Sequence, residues 1–192
     1  GDSIVNCVIA IALFERFGEL REGDMSRLRA NLVRQEALYR LADGLKLGDR
    51  VATIAWNAAR HLECWYGIMG IGAVCHTLNP RLFPEQLAYI INHAEDRIIF
   101  VDLTFIPLLE AVLPHCPSVE RVVVMTDEGA MPVTTLPKAE CYEALLAGAG
   151  EDVQWGGFDE QTACGLCYTS GTTGNPKGVL YSHRSNFIHT LL

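Results

Sequence analysis

The sequence predicts an α/β fold, a partial parallel sheet with flanking helices, preceded by an all-α two-helix segment. Three observations predict it. From Val51 onward, short runs rich in Val, Ile and Thr alternate with longer runs of helical spacing, and such alternation puts helices on the faces of a parallel sheet. Before that point the apolar residues recur only at three- and four-residue spacing. All eight prolines lie at or beyond Pro80, so the composition shifts where the pattern does.

The first segment carries two helical stripes. Ile4, Val5, Val8, Ile9, Ala12, Leu13 and Phe17 share one face of a helix that Gly18 ends. Asp24 or Ser26 can cap a second helix, whose stripe is Leu28, Leu32, Ala37, Leu38, Leu41 and Leu45. Arg27, Arg29, Arg34 and Arg40 fall at other positions and read as a solvated face. Ile4–Phe14 is apolar apart from Asn6. It is shorter than the roughly 20 residues a membrane span takes. It has no basic leader either, so no signal peptide is expected.

The second segment is read element by element. Val51–Trp56 is a strand and His61–Met69 a helix. The glycines at 67, 70 and 72 follow helical spacing, not a strand, so they mark helix termination and close packing and not a dinucleotide fingerprint. Ala73–Leu78 is a strand. Pro84–Asn92 is a helix with its proline in the first turn. Arg97–Asp102 is a strand, Phe105–Leu113 a helix, and Arg121–Thr126 a strand made mostly of valine. Met131–Pro137 is a loop, Cys141–Ala147 a short helix, and Gly148–Phe158 a Gly-rich loop. Thr162–Tyr168 and Gly178–Ser182 are strands flanking a polar bend, and a last helix starts at Arg184.

Composition limits the function classes. A net charge of −8 argues against a nucleic-acid-binding surface as the main task of the chain. The cysteines number seven, an odd count without a disulfide-framework spacing, which suggests reduced thiols and a cytoplasmic setting. Cys164-x-x-Cys167 lies on a strand-like run with no second pair, so it reads as buried thiols and not as a redox or zinc motif.

The polar bend, Tyr168-Thr169-Ser170-Gly171-Thr172-Thr173-Gly174-Asn175-Pro176-Lys177-Gly178, carries the chemistry. It packs four Ser/Thr residues and three glycines into ten positions after Tyr168. Glycine lets the backbone turn and approach a ligand closely. Hydroxyls and free backbone N–H groups make a donor surface suited to phosphate oxygens. Lys177 adds a mobile point charge. The spacing is not that of a Walker A loop, because Pro176 stands where the second glycine belongs. The bend reads as a polyphosphate-binding loop.

The same residues resemble the phosphate-loop signature of the adenylate-forming superfamily: acyl-CoA synthetases, peptide-synthetase adenylation domains and luciferases. Gly48-Asp49-Arg50-Val51-Ala52, Thr77-Leu78-Asn79-Pro80-Arg81-Leu82 and Tyr181-Ser182-His183-Arg184-Ser185 are similar to bacterial medium- and long-chain fatty-acyl-CoA synthetases. The first 43 residues have a different likeness. Gly1-Asp2-Ser3-Ile4-Val5-Asn6-Cys7-Val8-Ile9-Ala10 and Glu22-Gly23-Asp24-Met25-Ser26-Arg27-Leu28-Arg29-Ala30-Asn31-Leu32-Val33 resemble the catalytic-domain helices of ribonuclease III. The chain therefore reads as a chimera, residues 1–43 ribonuclease III-like and residues 44–192 the N-terminal portion of an AMP-binding acyl-CoA synthetase, with the join between about Val33 and Gly48.

The first resemblance implies an acid–thiol ligase that uses ATP, Mg²⁺ and coenzyme A on a fatty-acid carboxylate. It assigns Thr169, Ser170, Gly171, Thr172, Thr173, Gly174 and Lys177 to the ATP phosphates. It also implies later motifs that this sequence does not contain. The expectation is a chain that carries the phosphate loop, does not complete the reaction alone, and self-associates through an exposed sheet edge or its N-terminal helices. The second resemblance places a metal-binding aspartate at Asp2. The partner carboxylates of a two-metal site are missing, so Asp2 reads as a helix cap and double-stranded RNA as a disfavoured partner. The alternatives are a ribonuclease III-like RNA endonuclease fragment or a non-catalytic interaction module. His183 is expected to be a packed or capping residue. For Arg81 a structural turn and a functional role stand even.

Overall fold

Val51 and Ala52 are adjacent and both buried, yet they face opposite sides of the protein. That is the alternation of a strand covered on both faces, and it recurs throughout the sheet. The computed structural model describes residues 45–148, 156–169 and 175–190. The two expected N-terminal helices lie outside the described residues, and so does Asp2.

In chain order the elements are β1 (Arg50–Ile54), α1 (Ala59–Gly70), β2 (Val74–Thr77), α2 (Pro84–Ala94), β3 (Ile98–Val101), α3 (Ile106–Val112), β4 (Arg121–Val124), β5 (Ala139–Cys141), α4 (Tyr142–Ala147), β6 (Ala163–Thr169), β7 (Lys177–Ser182) and α5 (His183–Thr190). The strands form one sheet in the order β5-β4-β3-β1-β2-β6-β7. Neighbours are parallel throughout except β6 and β7, which are antiparallel.

The two faces have separate cores. Val51, Cys75, Ile98, Phe100 and Val123 pack against Cys64 and Ile68 of α1 and Tyr142 and Leu146 of α4. Ala52, Ile54, Ile99, Val101, Val122 and Val124 pack against Leu87, Ile90 and Ile91 of α2 and Ile106, Leu109 and Val112 of α3. Burying one such aliphatic side chain contributes about 1.5–3 kcal/mol, so these two layers dominate the favourable side of folding.

Arginines organise the edge where the parallel strands begin. Arg50 opens β1 and pairs with Glu95 at 2.7 Å. Arg97, just ahead of β3, bridges Asp49 at 2.7 Å and Glu120 at 2.8 Å. Arg121 opens β4 and pairs with Glu140 of β5 at 2.8 Å. Partly exposed pairs of this kind contribute about 0–1 kcal/mol each. Their clearer effect is on register, since each ties a strand start to its neighbour.

Glycine closes α1 as expected. Gly72 sits at φ +79°, a conformation that residues with a side chain rarely adopt, so the turn requires glycine. Pro84 occupies the first turn of α2. One element differs from the sequence reading. The stretch before the short helix is a strand, β5, in register with β4 from Val122↔Ala139 to Val124↔Cys141. Its three residues are half-buried and include a glutamate, so no apolar alternation announces it. Backbone pairing with β4 and the Arg121–Glu140 contact hold it in place. A charged edge strand also resists unwanted pairing.

Glu110 of α3 fastens the segment that follows β4. It accepts hydrogen bonds from Thr134 Oγ1 and the Thr135 N–H, both at 2.7 Å, beside buried Leu136. These donors, Thr134 first, hold its carboxyl below the ordinary glutamate value. A depressed carboxylate contributes stability that is present above its unfolded pKa and is lost as pH falls through its folded one. Glu110→Gln should therefore lower the thermal midpoint at neutral pH, and the gap should start to close as pH falls below the ordinary glutamate value of about 4.3. A difference that stays constant across that range would contradict the assignment.

Candidate functional site

In open parallel sheets, ligand sites lie beyond the carboxyl ends of the strands, at places where the strand order reverses. Here the order 3-1-2 puts such a reversal between β1 and β3. Trp56, just after β1, bridges it. Its indole Nε1 donates to Thr104 Oγ1 at 3.3 Å, and its ring lies 5.0 Å from that of Phe105. Asp102 secures the same corner by accepting from the Thr104 N–H at 2.9 Å.

The polar bend leaves the same end of the sheet further out, at β6. β2 pairs with β6 only through Cys75↔Gly165 and His76↔Leu166. β6 runs on beyond that pairing to Thr169, where β7 returns antiparallel with Tyr168 opposite Gly178 and Thr169 opposite Lys177. Thr169 and Lys177 are both exposed and form the mouth of the bend. Thr169 Oγ1 lies 3.5 Å from the Lys177 carbonyl oxygen, a long contact. Ser170, Gly171, Thr172, Thr173 and Gly174 lie outside the described residues.

Tyr168, at the root of the bend, is held on three sides. Its hydroxyl is 2.6 Å from His93 Nδ1 on the last turn of α2. Its ring lies 5.2 Å from that of His76. Gly178 leaves room for it: a Cβ there would come within 3.2 Å of both Tyr168 Cζ and Leu166 Cδ1. His93 is in turn stacked on Tyr89 at 5.4 Å.

Beneath Tyr168 lies a polar pair with no exposed surface. His76 Nδ1 is 2.7 Å and 3.0 Å from the two carboxylate oxygens of Asp96. Burial pushes the Asp96 carboxyl up, and the hydrogen bond from His76 works against that rise. The other imidazole nitrogen, Nε2, is buried and has no hydrogen-bond partner among the described residues. Asp96 reaches this position because α2 ends on Glu95 in the left-handed conformation, φ 55°. The Asp96 N–H then bonds back to the Ile91 carbonyl at 3.1 Å. Such a cap is normally glycine, and a residue with a side chain there is strained. Arg50 offsets the strain by donating to the Ala94 carbonyl and to the Glu95 carboxylate.

The remaining sequence expectations divide. His183 is packed, its ring 4.9 Å from that of Phe158 and its N–H on the Thr162 carbonyl at 3.1 Å. Burial depresses its pKa. Arg81 stands in a structural turn, its N–H on Asn79 Oδ1 at 3.0 Å. Cys164 is buried as expected, with Asn186 Nδ2 donating to its sulfur at 3.2 Å, whereas Cys167 is exposed. The described cysteines are all free, and among the described residues no group of His, Cys, Asp and Glu could hold a metal ion. Among the described residues, no helix is long and apolar enough to cross a membrane. The sequence reading missed the Tyr168–His76–Asp96–His93 cluster. Its members stand on separate elements, and only the unusual motif next to Tyr168 signalled the place.

The chain has two family-level matches. The model for the AMP-binding enzyme family matches residues 33–192, and that for the ribonuclease III domain matches residues 1–63. The chain is 55% identical over 147 residues to the 3-methylmercaptopropionyl-CoA ligase of Ruegeria pomeroyi, covering 77% of this chain and 27% of that protein. It is 42% identical over 190 residues to the long-chain-fatty-acid–CoA ligase of Thermus thermophilus, covering 95% and 33%. The anthranilate CoA ligase AuaEII, solved in complex with anthranoyl-AMP, superposes with a TM-score of 0.73 at 25% identity, over 83% of this chain and 30% of that one. The chain thus spans about a third or less of the length of these relatives.

The contrast between two glycines tests the geometry around Tyr168. Gly178→Ala should cost about 1–3 kcal/mol in a urea titration, the range for overpacking a fitted site. Gly165→Ala should be neutral or stabilising by up to about 1 kcal/mol, because its new Cβ would meet only Tyr181 Cβ, at 3.9 Å. Equal effects at both positions would mean that Tyr168 is not confined by the missing side chain.

Proposed function

Because the chain belongs to the AMP-binding enzyme family, we propose that the bend from Thr169 to Lys177 holds the phosphates of ATP while a carboxylic acid is activated as its adenylate. The observation that carries the proposal is the position of the bend. A segment dense in hydroxyls and glycines leaves the carboxyl end of a parallel sheet, and its two described flanks, Thr169 and Lys177, face solvent. The relatives, by name CoA ligases of aliphatic and aromatic acids, support the same class of reaction.

In the first step a carboxylate oxygen attacks the α-phosphorus of ATP. A new C–O–P linkage forms, the bond to the β-phosphate oxygen breaks, and pyrophosphate leaves. In the second, the coenzyme A sulfur attacks the acyl carbon, a thioester forms, and AMP departs with the bridging oxygen. Negative charge grows on the leaving pyrophosphate, and donors already aimed at that position stabilise it without reorganising. The hydroxyls of Thr169, Ser170, Thr172 and Thr173 and the N–H groups of Gly171 and Gly174 are the proposed donors. Lys177 neutralises phosphate charge. The described residues offer no carboxylate cluster for a metal ion, so magnesium would accompany the nucleotide and be held mainly by its phosphates. The acid is proposed to be aliphatic, as in the long-chain relative.

A second reading rests on the ribonuclease III match at residues 1–63. Its described part, from Leu45, forms β1 and the first turns of α1 and belongs to the parallel sheet. We propose that residues 1–43 are a separate ribonuclease III-like segment. Magnesium-dependent cleavage of a long RNA duplex, abolished by Asp2→Asn, would give it nuclease activity. An uncut duplex would leave the ligase reading alone.

Calorimetric titration with ATP tests the main proposal. The wild-type chain should bind ATP, and inorganic pyrophosphate should compete where adenosine does not. Lys177→Ala should weaken ATP binding about tenfold or more, the worth of a charge-assisted hydrogen bond. Competition by adenosine but not pyrophosphate, or an unchanged Lys177→Ala titration, would overturn the assignment.

A further inference from the structure

We propose that His76 and Tyr168 are positioning residues for the phosphate loop, with His76 acting through Tyr168. The inference rests on the ATP-binding reading of the bend. Tyr168 immediately precedes Thr169 and pairs with Gly178, so it stands at the base of the bend, where β6 and β7 part. The face of its ring is met by His76 and its hydroxyl by His93, while the empty side of Gly178 takes the end of the ring. The tyrosine thus has one place to sit, defined by β2, α2 and β7 together.

His76 cannot rotate away. Both carboxylate oxygens of Asp96 lie on its Nδ1, and neither residue has exposed surface. A purely structural core position would be served as well by an aliphatic residue, with no buried polar atoms to satisfy. Instead the imidazole brings a second polar atom, Nε2, into the core, with no hydrogen-bond partner among the described residues. The strained turn at Glu95 and the two Arg50 contacts deliver Asp96 to that spot. Three separate features, a left-handed cap, a buried hydrogen-bonded couple and a missing side chain at Gly178, converge on the orientation of one ring.

Two variants separate positioning from stability. Tyr168→Phe keeps the ring against His76 and Gly178 and removes only the hydroxyl contact with His93. His76→Asn keeps a donor for Asp96 and removes the ring beneath Tyr168. The measurements are ATP affinity by calorimetry, amide hydrogen exchange over residues 165–180, and the thermal midpoint. For Tyr168→Phe, ATP affinity should fall about three- to tenfold, the worth of one hydrogen bond. Exchange across 168–178 should quicken while peptides from β1, β3 and β4 and the midpoint stay at wild-type values. His93→Gln, which retains an acceptor for the hydroxyl, should restore most of the affinity that His93→Ala loses. Wild-type affinity and wild-type exchange in Tyr168→Phe would overturn the proposal. So would exchange that quickens equally in every strand of His76→Asn. Should the wild-type chain fail to bind ATP, the nucleotide reading falls, and the local exchange pattern still decides whether the cluster anchors the bend.

Discussion

A histidine with no exposed surface has to be oriented by its neighbours, and His76 is oriented by Asp96. Taking either group out of water is costly. Burial raises the Asp96 carboxyl, and the hydrogen bond to His76 works against that rise. Removing one partner of such a pair typically costs about 3–5 kcal/mol, because the other is left buried and unsatisfied. The pair is therefore a poor source of stability and a strong source of specificity. It fixes the end of α2 against β2, and through the ring of His76 it fixes Tyr168. The described part of the candidate site is built outward from this contact.

The sheet around it explains why the site lies toward one side. β1, β3 and β4 are covered on both faces by α1 with α4 and by α2 with α3, so their side chains are committed to packing. The strand reversal between β1 and β3, the usual opening in such a sheet, is bridged by Trp56. β6 extends past its short pairing with β2 and carries the chain clear of the two-layer core. β7, α5 and the outer part of β6 keep several residues in solvent, Leu180 and Phe187 among them. Surface available for a ligand is thus concentrated on the side of the sheet where the hydroxyl-rich segment emerges.

Much of this was legible in the sequence because period and composition report local structure directly. A valine run gave β4, the β-branched and aromatic run Ile98–Val101 gave β3, Pro84 gave the start of α2, and Gly72 gave the turn after α1. The hydroxyl- and glycine-rich segment stood out by composition alone. What escaped was set by distance. β5 has three half-buried residues and takes its strand character from β4, not from its own side chains. The Tyr168 cluster joins residues 75 positions apart across Tyr168 and His93 and 20 across His76 and Asp96. A lone histidine in a sequence says nothing about which aspartate will meet it. Glu95 gave no signal of a left-handed cap either, since the usual sign is glycine.

The hairpin also settles a question of connectivity. Only the residues from Ser170 to Pro176 separate β6 from β7. A parallel return would need a crossover of a dozen or more residues, so the chain can only come back antiparallel. That leaves the ends of the segment paired, Thr169 with Lys177, at a separation of about 4.5–5.5 Å between Cα atoms. At the foot of the segment the two strands meet in one close-packed pair. That pair is Tyr168↔Gly178, where a Cβ at 178 would crowd the tyrosine ring and Leu166, each at 3.2 Å. A side chain at 178 would have to displace either the ring or Leu166 beneath it. The glycine after Lys177 therefore has a different task from those within the bend. Gly171 and Gly174 are proposed to let backbone approach a phosphate. Gly178 lets an aromatic ring close the floor.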